Sequence, residues 1–312
     1  MGLVTAGGTV NVKEPPCDLS VGTFLLLRRA FFDVGTRPKA FRLRDKRNTQ
    51  DDPLDEYVHS LLSRGLPRNV TCLRAPGPLI TPDLVVLRPD ACKGVRRSVL
   101  ASDTSRIMAL EVKKLERAHG GSVARASGMD YNTTPPCGTV RVYDAGGQPL
   151  DIRGFYLFVC QEPVGGKAGH FRLTALALCD GNLLNADFEY YLSIVGQRTK
   201  HVGLGTYGNG ANRNRPMLIF ANPMGASELD HRVTLIHGRD DLAHQIEGLA
   251  QVGLIRRSNR AGGTSVFHCY RLREDMEPDH GAFDLADPFP TPTRTEATQP
   301  RGRFRVDVEP ES

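Results

Sequence analysis

The sequence has 312 residues, 40% hydrophobic and 24% charged, which is the balance of a soluble globular protein of one large domain or two. No apolar stretch is long enough to span a bilayer and the N-terminus lacks the basic-then-apolar order of a signal peptide, so no membrane partner and a cytoplasmic location are expected. Seven cysteines without a CxxC pair argue against a disulfide framework and a zinc ribbon, while the net charge of +5 divides into a body at +11 and a segment from residue 274 at −6, as suits a polyanionic partner.

In chain order, the first twenty residues lack periodicity and read as a loose arm or an edge strand. Residues 21 to 32 are an apolar run with two arginines, predicted helical, and residues 28 to 47 concentrate eight Lys and Arg against Asp33 and Asp45. Asp52 followed by Pro53 reads as an N-cap with proline at the first helical position. Leu54, Tyr57, Val58, Leu61 and Leu62 then recur at helical spacing until Gly65 closes the helix.

Strand signals follow near 70–74, 80–87, 106–113, 139–144, 154–161 and 170–179, with hairpin glycines at 146–147 and 165–166 and an insertion over 89–103. A helix over 186–196 presents Phe188, Tyr191, Leu192 and Val195 on one face. The expected fold class is therefore α/β, a mixed central sheet flanked by helices.

Two loops combine glycine or proline with polar side chains. The first, 130–138, carries Asn132 and Thr133. The second, 203–215, contains a formal GxGxxG but runs into Asn212, Arg213, Asn214 and Arg215 before Pro216, whereas a dinucleotide fingerprint would open a helix. Asn132, Thr133, Asn212, Arg213 and Arg215 are candidate DNA-binding residues, with a structural turn and a surface connection as the plain alternatives.

Asp240 starts a further predicted helix with Leu242, Ile246 and Leu249 facing inward and Gly253 at its end, and 254–272 reads as a basic-tipped hairpin. Helix plus hairpin is similar to the end of a winged-helix module; continuation of the preceding domain is the alternative. His237, His244, His268 and Cys269 lie close together without a recognised ligand spacing. From residue 274, six prolines and ten acids predict a disordered tail.

The most specific chemistry lies in the middle. Glu111-Val112-Lys113 is the single place where an acid precedes lysine by two positions, 28 residues after Asp83 in Thr81-Pro82-Asp83. Apolar runs, 84–87 and 107–110, adjoin the two acids. Paired strands there would bring two carboxylates and one ammonium to a common sheet edge, suited to a hard divalent cation. An exposed alternating pair on an edge strand is the other reading.

This pattern resembles the PD-(D/E)XK nuclease superfamily, to which most type II restriction endonucleases belong. The resemblance implies a restriction-endonuclease-like sheet and Asp83, Glu111 and Lys113 as catalytic residues. It implies Mg²⁺ held by Asp83, Glu111 and the backbone carbonyl of Val112, and an accessory acid from the preceding helix, for which Glu56 is the candidate. Lys114 joins the candidate DNA-binding residues.

On this view 1–50 is an N-terminal arm and helical region, 51–200 the nuclease core, 201–273 a basic loop and winged-helix-like DNA-contacting region, and 274–312 the acidic tail. The implied activity is Mg²⁺-dependent, sequence-specific cleavage of double-stranded DNA by a homodimer, with a companion DNA methyltransferase in the host. The alternatives are a non-catalytic DNA-binding regulator, a repair or resolvase nuclease, and an RNA nuclease.

Overall fold

Residues with period-two or continuous apolar character form one mixed sheet of 11 strands in the computed structural model. The structure describes residues 18–48, 52–77, 80–116, 131–133, 138–165, 168–184, 204–206, 216–220, 226–258, 263–277 and 281–285. In chain order the strands are β1 (Ala40–Arg42), β2 (Thr71–Arg74), β3 (Leu84–Leu87), β4 (Ile107–Glu116), β5 (Tyr131–Thr133), β6 (Thr139–Tyr143) and β7 (Pro149–Pro163). They continue with β8 (His170–Asp180), β9 (Leu204–Thr206), β10 (Pro216–Phe220), β11 (Val233–His237), β12 (Leu249–Ser258), β13 (Thr264–Leu272) and β14 (Phe283–Leu285).

The order across the large sheet is β14-β12-β13-β11-β8-β7-β4-β3-β2, with β1 added to β8 and β6 to β7. Pairing is antiparallel except for β4 with β7, β8 with β11 and β12 with β14. Strand β7 is central and buried on both faces, which is why it reads as an unbroken apolar run. Phe155, Leu157 and Val159 point to one core and Tyr156, Phe158 and Cys160 to the other. Each such large side chain contributes about 1.5–3 kcal/mol by leaving water.

Helices α1 (Leu19–Phe31) and α2 (Pro53–Gly65) cover the first of these faces. Asp18 caps α1 by accepting from the Ser20 backbone N–H at 2.8 Å, and Asp52 caps α2 by accepting from Leu54 at 3.0 Å. Phe31, Phe41 and Tyr57 join α1, β1 and α2 through ring contacts of 5.1 Å from Phe41 to each neighbour. No helix among the described residues is long and apolar enough to cross a membrane.

Three sequence expectations are corrected here. The helix predicted from Asp240 to Gly253 is a single turn, Leu242–Gln245; Gly248, at φ 82°, then turns the chain into β12. Leu242, Ile246 and Leu249 fit helical spacing, but Leu249 belongs to a strand whose register shifts at Gln251 and Gly253. The hairpin β12–β13 joins the central sheet through β11, so among the described residues it is a continuation of that sheet rather than a winged helix. Within the C-terminal segment expected to be disordered, residues 283–285 form a strand, β14, parallel to β12, and Phe283 packs where a β-carbon on Gly253 would stand, while residues 286–312 lie outside the described residues. The helix expected over 186–196 lies outside the described residues.

Candidate active site

Strands β3 and β4 pair with Leu84 opposite Leu110, and continuing that register by one residue brings Asp83 opposite Glu111. The Val112 backbone N–H donates to Asp83 Oδ2 at 2.8 Å, fixing the acid across the strand pair. Leu110 and Val112 enter the core beneath α1 and α2. Glu111 and Lys113 therefore share the opposite face of β4, in register with Tyr156 and Phe158 of β7.

Glu111 is only 3% exposed. Its Oε2 accepts from Lys113 Nζ at 3.0 Å, whereas its Oε1 is buried with no hydrogen-bond partner. Burial, reinforced by the charge of Glu111 and partly offset by Lys113, pushes the Asp83 carboxyl up to about 8. Burial works against the Lys113 ammonium, but Glu111 and Asp83 outweigh it and raise its pKa. Lys113 is thus a fixed positive charge.

The residues fit a hard cation. An orphaned carboxylate oxygen beside an acid that resists ionisation lacks positive charge, and one ammonium supplies only part of it. Among the described residues no three His, Cys, Asp or Glu side chains close on one point. The protein donors on offer are two carboxylates, Asp83 and Glu111, and the carbonyl of Val112. A site of one or two carboxylates completed by water and substrate phosphate is the usual habit of Mg²⁺.

Of the two neighbouring acids on helix α2, Asp55 rather than Glu56 feels the charges of Glu111 and Lys113. Burial first, then Asp52, pushes the Asp55 carboxyl up to about 7; Glu111 adds to the rise, while Lys113 and Arg74 oppose it. Glu56 is instead held by Arg44, at 2.9 Å from Nε and 2.6 Å from Nη2, with Arg74 Nη1 at 3.4 Å. The signal was present in the sequence. At 100° per residue the stripe of Leu54, Tyr57, Val58, Leu61 and Leu62 leaves Asp55 at its border and Glu56 on the far side.

Lys114 points to the other face of β4 from Lys113, and its Nζ lies 3.0 Å from Asp52 Oδ2 at the start of α2. That pairing ties strand to helix. Asn132 and Thr133 lie in β5, where their backbones pair with Ile219 and Leu218 of β10. Strand β10 also pairs with β9, so segments of the two sequence-selected loops meet in one three-stranded sheet, β5-β10-β9. Asn212, Arg213 and Arg215 fall between β9 and β10, outside the described residues.

No protein-family model matches the chain, and no curated protein matches it in sequence. Among solved structures, the restriction endonuclease BglI bound to its DNA recognition sequence aligns with a TM-score of 0.27 and 13% identity. The alignment covers 67% of this chain and 79% of that one. So distant a likeness fixes no correspondence between residues.

Proposed function

We propose that this chain is a Mg²⁺-dependent endonuclease of the PD-(D/E)XK kind, cutting double-stranded DNA within or close to a short recognition sequence. The observation that carries the reading is the convergence of Asp83, Glu111 and Lys113, with one Glu111 oxygen taken by the lysine and the other buried without a partner. A purely structural ion pair would not need the second acid.

Bound Mg²⁺ would neutralise charge on the phosphodiester and sharpen the acidity of water. The chain's own residues divide the remaining tasks. Glu111 fixes Lys113 through Oε2 and keeps Oε1 for the cation. Asp83, located by the Val112 N–H, offers the second carboxylate, and the peptide of Val112 is held in place because its side chain is anchored in the core. Lys113, charged at neutral pH, orients the attacking water and stabilises negative charge on the phosphate rather than acting as a base. Asp55, which feels the charges of Glu111 and Lys113, adds negative charge when ionised.

The body at +11 provides the field for a polyanion, and Asn132, Thr133, Asn212, Arg213 and Arg215 are proposed to reach bases and phosphates. A cut through both strands at a symmetric site needs two centres, hence a homodimer, with a methyltransferase to protect the host sequence. The test is to incubate the purified protein with unmodified plasmid and Mg²⁺ and to sequence the fragment ends. Discrete ends support the reading. Intact circles together with DNA binding would replace it with a non-catalytic regulator.

A further inference from the structure

A polyanion that reaches Asp83 and Glu111 meets two carboxylates, and within the proposed catalytic set only Lys113 offsets them. Further positive charge has to stand at the margin. Arg74, the last residue of β2, is placed there.

Strand pairing fixes its position. Arg74 lies opposite Leu84 in the register of β2 with β3, one strand spacing of about 4.8 Å from the residue that follows Asp83. The next residue, Ala75, donates its backbone N–H to the Asp83 carbonyl at 2.9 Å, so the pairing runs on to the first acid of the centre. Cys72, two positions earlier, is buried in the core that α1 and α2 cover, and alternation puts Arg74 on that same side, towards α2. Strand β2 ends the order of the large sheet, so among the described residues no further strand flanks it.

The structural work of Arg74 is slight. Its Nη1 lies 3.4 Å from Glu56 Oε2, beyond the ordinary hydrogen-bond range of about 2.7–3.2 Å. Arg44 already serves that oxygen, donating from Nε at 2.9 Å and from Nη2 at 2.6 Å. Glu56 therefore needs no second guanidinium. The Arg44 hydrogen bond first, and then the charges of Arg44, Arg74 and Arg47, hold the Glu56 carboxyl below its usual range, so three guanidinium groups act on one carboxylate. The Arg74 side chain is 36% exposed and open to a ligand. An exposed arginine is often only a solvated side chain; the place beside Asp83 sets this one apart.

We propose that Arg74 holds a backbone phosphate of the DNA strand that lies against Asp83 and Glu111, next to the phosphate that is cut. This contact rests on the nuclease reading above and extends that same site. A guanidinium presents its N–H groups in a planar fork that matches phosphate oxygens. Arg74 grips a phosphate whose bonds stay intact, so it aligns the strand and adds affinity without reading sequence. Neutralising one phosphate also releases counterions, which makes the contact visible in the salt dependence of binding.

The test measures binding of the full chain to a short fluorescent duplex in Ca²⁺ over a series of KCl concentrations. The duplex carries the cut site, or a random sequence where no cut is found. Arg74→Ala weakens binding by roughly three- to tenfold and lowers the slope of log K against log salt by about one. Arg74→Lys, which keeps a point charge, restores most of the slope. Arg141→Ala, which removes an exposed arginine paired with Asp151 on β7, leaves the slope as it was and controls for net charge. An unchanged slope in Arg74→Ala, or an equal fall in Arg141→Ala, overturns the proposal. A neutral methylphosphonate beside the cut weakens binding of the unaltered protein but not of Arg74→Ala; equal weakening of both overturns the placement. Cleavage with an unchanged slope removes only the Arg74 contact, and a lowered slope without cleavage removes only the nuclease reading.

Discussion

Asp83 Oδ2 lies 2.8 Å from the backbone nitrogen of Val112, so the first acid is positioned by the peptide between Glu111 and Lys113. This contact separates two roles of Asp83. Asp83→Asn keeps an oxygen able to accept from Val112 but removes the negative charge, and Asp83→Ala removes both. Both variants are expected to lose plasmid cleavage in Mg²⁺ by about 100-fold or more while binding DNA in Ca²⁺ as before. Only Asp83→Ala should also lower the melting temperature. Cleavage surviving in Asp83→Asn would remove this residue from the metal set.

Lys113 bonds Glu111 while facing the same side of β4, so its loss affects chemistry and local charge together. Lys113→Ala leaves Glu111 with neither oxygen partnered and should cut the cleavage rate by about 10²–10³-fold with little change in DNA affinity. Lys113→Arg keeps the charge but changes its shape, and is expected to recover only part of the rate. Single-turnover cleavage beside a gel-shift titration separates rate from binding. A parallel fall in both would make Lys113 a DNA contact instead.

Asp55 and Glu56 are neighbours in sequence with opposite surroundings. Asp55→Asn removes an acid coupled to Glu111 and Lys113 and should slow cleavage by about tenfold, with a changed Mg²⁺ requirement. Glu56→Gln breaks a half-exposed pair with Arg44 and should cost about 0–1 kcal/mol of stability with no change in rate. Magnesium titrations of cleavage, paired with thermal melts, check both. Equal kinetic effects would mean that helix α2 acts through packing alone.

How far the sequence disclosed this arrangement depended on whether the information was local. Asp52-Pro53 announced the start of α2, and the apolar flanks of Asp83 and Glu111 announced β3 and β4, because caps and alternation are properties of neighbouring residues. The choice between Asp55 and Glu56 needed the angular position on a helix, which was available. Leu249 fitted two periods at once, and only its pairing with Leu272 decides for a strand. Strand β14 was hidden in a proline-rich acidic stretch because what orders it is β12, far back in the chain. The contacts among Asp18, Thr104 and His237 are equally non-local, so no motif advertised them.

His237 gives the fold an acid-sensitive component. Burial, the largest influence, lowers the pKa of its imidazole, although Asp18 and Asp180 act in the other direction. An unfolded histidine titrates near about 6.5, so as the pH falls through that value the unfolded chain takes up the proton first and stability is lost. The contribution is intact above that pH and declines until the folded ring itself protonates. Asp55 and Asp83, raised to about 7 and about 8, tilt the curve oppositely, since the folded chain holds their protons more tightly at intermediate pH. Their share cancels when the unaltered protein is compared with His237→Gln. Melting temperatures taken from pH 5 to pH 8 without metal should therefore converge toward acid, the variant losing less on acidification by about 1.4 kcal/mol for each unit of displacement it abolishes. Parallel curves would show that the imidazole exchanges its proton as freely in the folded chain as in the unfolded one.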